Sequence, residues 1–159
     1  MEIGTLDERD KRDICTWHYP GEYAVYDLPS YEELLRNGEG FCAPGRDGDY
    51  LAFREGDRLL GYVHLREKEE TVVMGIGLRP EGCGRGKGTE VLTAACAVAR
   101  ERFPGKELSL VVRTWNTRAV KCYEKAGFRI VGEAFELTTP AGVGEFYKMV
   151  KDRASGNLR

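Results

Sequence analysis

Residues 79–90 read RPEGCGRGKGTE, between TVVMGIGL (71–78) and TEVLTAACAVARERF (89–103). The upstream run is apolar and rich in β-branched residues, which predicts a strand. The downstream run carries Val91, Leu92, Ala95, Val98 and Ala99 at helical spacing, which predicts a helix over about Thr89–Phe103 with one buried face. Between them Gly82, Gly84, Gly86 and Gly88 alternate with other residues, and Arg85 and Lys87 separate the later ones. A strand that feeds a glycine turn into a helix N-terminus exposes free backbone N–H groups beside the positive end of the helix dipole. That is an anion site, and diphosphates are its common ligands. The bland alternative is a turn of glycines with a solvated basic pair.

Two familiar diphosphate motifs fail on this stretch. A Walker loop ending at Gly86-Lys87 needs glycine at 81 and Ser or Thr at 88, where the chain has Glu81 and Gly88. A dinucleotide fingerprint starting at Gly82, Gly84 or Gly86 meets Lys87, Thr89 or Val91 where it needs its last glycine. The stretch Cys83-Gly84-Arg85-Gly86-Lys87-Gly88 resembles [RQ]-x-x-G-x-[GA], the coenzyme A pyrophosphate loop of the Gcn5-related N-acetyltransferases (GNAT), with Cys83 in place of the leading Arg or Gln. A second segment, WNTRAVKCYEKAGFRIVGE (115–133), is similar to that family's N-x-x-A-x-x-x-Y-x-x-x-G-F signature through Asn116, Ala119, Tyr123, Gly127 and Phe128. The resemblance covers roughly residues 50–150.

The remaining elements are consistent with that likeness. A short strand near Glu2–Leu6 precedes a helix around Asp7–Trp17, and Ser30 with Glu33 forms a capping-box pattern for a second short helix. DYLAFRE and LLGYVHLRE read as a hairpin about Gly56-Asp57. ELSLVVRT is a strand, TRAVKCYEKAG a helix ended by Gly127, and FRIVGEAFEL and GVGEFYKMV are strands joined by the turn TPAG. The expected fold is α/β (α+β), a mixed, mostly antiparallel twisted sheet flanked by helices. Residues 1–150 are expected to form a single domain, with 151–159 as a flexible, polar C-terminal tail.

The resemblance implies an acetyl-CoA-dependent acyltransferase that acetylates a primary amine in a ternary complex. The strand before the loop is expected to splay from ELSLVVRT, with acetyl-CoA in the gap. Backbone groups of Ile76 and Leu78 would face the acetyl and pantetheine parts, and the Ile76 N–H would polarise the thioester carbonyl. The amides of Gly84, Arg85, Gly86, Lys87 and Gly88, with Thr89, would hold the pyrophosphate. Asn116 would meet the pantetheine arm; capping the next helix is its other reading, and the two can coexist. Tyr123 would protonate the leaving thiolate. Because it shares a helical face with Ala119, Val120 and Ala126, core packing is the competing role. Some family members place a glutamate four residues before the acetyl-binding amide, where this chain has Val72. Glu22, in the aromatic stretch WHYPGEYAVYD, is the base candidate named, with Glu69, Glu70 and Glu145 as others, although a solvated surface carboxylate is the commoner role for each.

Composition bounds the rest. The chain has 159 residues, 42% hydrophobic and 31% charged, with a net charge of −2. Nothing in that balance points to nucleic acid, and no apolar run approaches the roughly 20 residues of a membrane span. The polar, acidic start MEIGTLDERDKRD sets a cytoplasmic expectation. Five scattered cysteines and two distant histidines, His18 and His64, give no metal-ligand spacing, so no metal is expected. A homodimer through C-terminal strands is a family possibility. The alternatives to catalysis on acetyl-CoA are a non-catalytic coenzyme A-binding module and an acyltransferase for a longer acyl group.

Overall fold

A computed structural model of the chain describes residues 1–151. Seven strands, β1 (Glu2–Gly4), β2 (Tyr50–Glu55), β3 (Arg58–Glu67), β4 (Thr71–Leu78), β5 (Glu107–Arg113), β6 (Arg129–Thr139) and β7 (Gly142–Lys151), form one mixed, mostly antiparallel sheet in the order β1-β2-β3-β4-β5-β7-β6. Four helices accompany it: α1 (Glu8–Ile14), α2 (Tyr31–Asn37), α3 (Lys87–Arg102) and α4 (Thr117–Lys125). Every strand and helix expected from the sequence is present. Short 3-10 turns at Gly21–Tyr26, Gly40–Cys42, Asp47–Asp49 and Pro80–Gly82 were not legible, being too short for a periodic pattern. Lys151 belongs to β7 and pairs with Leu108, so the strand takes in the first residue of the expected tail. Residues 152–159 of that tail lie outside the described residues.

The helix starts follow their caps. Asp7 accepts from the Asp10 backbone N–H at 2.8 Å while Asp10 accepts from the Asp7 N–H at 2.9 Å, a reciprocal capping box at α1. The Asp10 amide holds the Asp7 carboxyl below its ordinary range. Ser30 caps α2 by accepting from the Glu33 N–H at 3.2 Å, as its spacing predicts. Gly38 ends that helix in the left-handed region at φ 60°.

The chain falls into two compact units. The first takes in Met1–His64 and Ile76–Lys87. Its core gathers Leu6, Ile14, Trp17, Leu34, Phe41 and Tyr50, with the Tyr62 ring 6.3 Å from that of Trp17. Glycine at 77 is required here: a Cβ on Gly77 would run into Cε1 of Tyr62. The second unit takes in Leu65–Gly75 and the chain from Gly88 onward. In it β4 pairs with β5 in parallel over Thr71–Val73, and β5 pairs antiparallel with β7 from Leu108↔Lys151 to Arg113↔Phe146. The buried face of α3 is Val91, Leu92, Ala95, Cys96 and Ala99; Cys96 takes the place expected for Val98, which is half-buried.

Candidate functional site

The glycine loop is built in three steps. β4 ends at Leu78, a single 3-10 turn covers Pro80–Gly82, and α3 begins at Lys87. Gly84 and Gly86 hold φ of 78° and 79°, so the backbone at both is left-handed. A Cβ at either would meet nothing within 4 Å, so glycine is required by backbone conformation and not by space. Lys87 and Gly88 therefore lie in the first turn of α3, two residues earlier than the pattern suggested. Backbone N–H groups at the very start of a helix have no acceptor further back within it, and in α3 these include the amides of Gly88 and Thr89.

Charge around the loop is partly committed. Lys87 Nζ donates to Glu55 Oε2 at 3.0 Å, and Arg58 lies 3.8 Å from Glu81. Arg85 is exposed at the tip between the two left-handed glycines. Cys83, which occupies the family's Arg or Gln position, turns back on the loop: its Sγ is 3.7 Å from the Arg79 carbonyl oxygen. Ile76 and Leu78, both half-buried, form the last part of β4. The Leu78 carbonyl accepts from the Tyr19 hydroxyl at 2.7 Å. Burial pushes the Tyr19 phenol well above its ordinary range, with Tyr62 adding to the shift, so it is a donor at neutral pH. Tyr19 and Arg79 were missed by the sequence reading. Their partners are distant in sequence, and no local motif announces them.

The N-terminal aromatic stretch divides between core and surface. Trp17 is buried, whereas Tyr19 stacks edge-on to Tyr26 at 6.5 Å. Glu22 is exposed in the 3-10 turn Gly21–Tyr26, and among the described residues it makes no hydrogen bond or ion pair. Asp27 accepts from the Tyr19 backbone N–H at 2.9 Å and sits 3.0 Å from His18 Nδ1.

In the second unit, Asn116 is buried and caps α4, its Oδ1 accepting from the Ala119 N–H at 3.1 Å. Tyr123, about two helical turns further on, is half-buried with its ring 6.4 Å from that of Phe128. Its backbone carbonyl accepts from Ala126 and Phe128 N–H groups at 3.1 and 3.0 Å, which closes the helix. Thr89 Oγ1 is 3.5 Å from Cys122 Sγ. Glu145 accepts from the Thr114 hydroxyl at 2.9 Å. Among the described residues, no group of three His, Cys, Asp or Glu is arranged to hold a metal ion, and no helix is long and apolar enough to cross a membrane.

A family model described as "Acetyltransferase (GNAT) family" matches residues 11–128. Solved structures share the fold at low identity. A chimeric spermidine N-acetyltransferase SpeG from Vibrio cholerae and hSSAT is 20% identical with a TM-score of 0.79, covering 99% of this chain and 98% of that one. The Vibrio cholerae spermidine N-acetyltransferase in complex with CoA and spermine is 20% identical with a TM-score of 0.75, covering 94% and 93%. The ribosomal-protein-S18-alanine N-acetyltransferase of Escherichia coli is 18% identical with a TM-score of 0.67, covering 99% and 98%. No curated protein matches the chain significantly by sequence.

Proposed function

The chain belongs to the acetyltransferase (GNAT) family, and from that premise we propose that it moves an acetyl group from acetyl-CoA to a primary amine. The observation that carries this reading is the loop itself. β4 turns through left-handed Gly84 and Gly86 into the N-terminus of α3, which suits the pyrophosphate of coenzyme A. The amides of Gly84, Arg85, Gly86, Lys87 and Gly88, with Thr89, bind that group.

The chemistry needs three further contributions. The Ile76 N–H polarises the thioester carbonyl and stabilises the oxyanion formed when the amine attacks. The amine nitrogen bonds to the carbonyl carbon and the C–S bond then breaks. Tyr123 donates its phenolic proton to the departing thiolate. The proton released by the amine passes to water or to Glu22, the exposed carboxylate of the aromatic stretch. Asn116 and the Leu78 backbone hold the pantetheine arm. The Leu78 carbonyl already accepts from Tyr19, and its second lone pair is the one available to a ligand. Two solved structures of this fold are a spermidine N-acetyltransferase in complex with CoA and spermine and a ribosomal-protein-S18-alanine N-acetyltransferase. A polyamine and a peptide with a free N-terminus are therefore the first acceptors to offer this chain.

Isothermal titration with acetyl-CoA, coenzyme A and ATP, on wild type and Gly86→Glu, tests the reading. Both coenzyme A species should bind the wild type at about micromolar Kd, ATP should bind far more weakly, and the variant should lose at least about tenfold. The substitution strains a backbone at φ 79° and places a carboxylate against the diphosphate. A wild-type protein that ignores coenzyme A removes the proposal.

A further inference from the structure

Leu78, the last residue of β4, and Arg79 after it are tied to the segment that runs from the end of α1 into the aromatic stretch. Tyr19 donates to the Leu78 carbonyl at 2.7 Å. Arg79 is bonded along its whole length. Its backbone N–H donates to the Leu60 carbonyl at 2.8 Å, and its Nε donates to the Leu59 carbonyl at 2.7 Å. The guanidinium pairs with the Asp13 carboxylate through Nη2 and lies 5.1 Å over the Trp17 ring. Only 15% of the Arg79 side chain is exposed, while its partner Asp13 is 37% exposed, so it is the guanidinium that the fold encloses.

The loop depends on this anchor. The Arg79 carbonyl accepts from the Gly82 N–H at 2.8 Å and is 3.7 Å from the Cys83 thiol, so the first turn of the loop is built on that oxygen. Further along, a Cβ at Gly84 or Gly86 would meet nothing within 4 Å, so no side chain at those two positions sets the course of the tip. Its course is then set largely by the two ends of the loop. One end is the first turn of α3; the other is Arg79.

We propose that Arg79, assisted by Tyr19, is a positioning residue that aims the glycine loop at the coenzyme and couples coenzyme binding to the Asp13–Tyr19 segment. This rests on the reading of the loop as a coenzyme A site. Arg79 touches no reacting atom; it acts through the turn that its carbonyl begins. The coupling is reciprocal: whatever shifts the segment from Asp13 to Tyr19 alters coenzyme affinity, and bound coenzyme resists that shift.

The test is coenzyme A titration of wild type, Arg79→Gln, Arg79→Lys and Tyr19→Phe, each with its melting temperature. Arg79→Gln should weaken coenzyme A binding about tenfold while folding normally, and Tyr19→Phe, which loses only the hydroxyl, about threefold. Arg79→Lys should fall between wild type and Gln. An ammonium keeps the Asp13 pair but lacks the flat face over Trp17 and the fork that also reaches Leu59. A merely structural arginine gives a lower melting temperature with unchanged Kd in the folded protein, and that result overturns the proposal. If Arg79→Gln does not fold, unchanged affinity in Tyr19→Phe overturns it equally. Wild type that fails to bind coenzyme A removes the functional reading, and the clamp with it. Wild-type binding with unaltered variants removes the clamp alone.

Discussion

Tyr123 is the residue on which the sequence leaves two readings, and its surroundings say how to separate them. The ring packs at 62° to Phe128, 6.4 Å between centroids, and the backbone carbonyl takes two N–H groups that close α4. Tyr123→Phe keeps that ring contact and both backbone bonds and removes one proton donor. If the phenol protonates the leaving thiolate, kcat should fall about 10²–10⁴-fold. The KM for acetyl-CoA should stay within about threefold, since a group needed only in the transition state does not set ground-state binding. Steady-state kinetics with a responsive amine would measure both, and an unchanged kcat assigns Tyr123 to packing. Neighbouring site residues differ in how legible they are. Asn116 caps α4 as its place before a helix predicts, because a cap is a local bond to the residue three ahead. The return of Cys83 to the Arg79 carbonyl and the bond from Tyr19 to Leu78 follow from the path of the chain, which no spacing rule encodes.

At the scale of elements, α3 shows where local signals mislead. The apolar periodic run predicts a helix from about Thr89. The Thr89 hydroxyl faces the Cys122 thiol at 3.5 Å, and the helix begins instead at Lys87 directly after left-handed Gly86. Moving Lys87 into the helix changes its electrostatics, because its ammonium pairs with Glu55 at the end of β2. A carboxylate 3.0 Å from that ammonium competes with any anion the loop binds. Glu55→Gln should therefore tighten coenzyme A binding by about two- to fivefold, the range of one partly exposed ion pair. The gain should shrink between about 0.05 and 0.5 M salt, as screening weakens the competing pair. Titration at two salt concentrations checks it, and weaker binding in the variant means that Glu55 supports the loop. By contrast, α1, α2 and the β2–β3 hairpin were legible because each is fixed by partners within a few residues.

For the whole molecule, sequence reading supplied the elements but only part of their order. β1 through β4 lie side by side in chain order; only β2 to β4 are joined by short connections, while α1 and α2 fall between β1 and β2. β7 instead sits between β5 and β6, a placement that hydrophobic pattern alone cannot choose. The burial of Phe146, Met149 and Val150 marks it as an interior strand, while most of β6 is exposed. This late strand also reaches back to the helix that carries Tyr123. Lys151 Nζ donates to the Ala126 carbonyl at 2.6 Å, placing a cation at the C-terminus of α4, where the dipole favours it. Gly127, which ends the helix at φ 98°, leaves room for that side chain; a Cβ there would lie 3.2 Å from Lys151 Cε. Lys151→Ala should lower unfolding stability by about 1–2 kcal/mol, and Gly127→Ala by about 1–3 kcal/mol for its strained backbone and the contact. The two losses should not add. With Lys151 truncated, the contact behind part of the Gly127→Ala cost disappears, so the double variant should lose about 0.5 kcal/mol or more less than the sum. Urea unfolding of the three variants and wild type measures the cycle, and strict additivity means that Lys151 does not hold the end of α4.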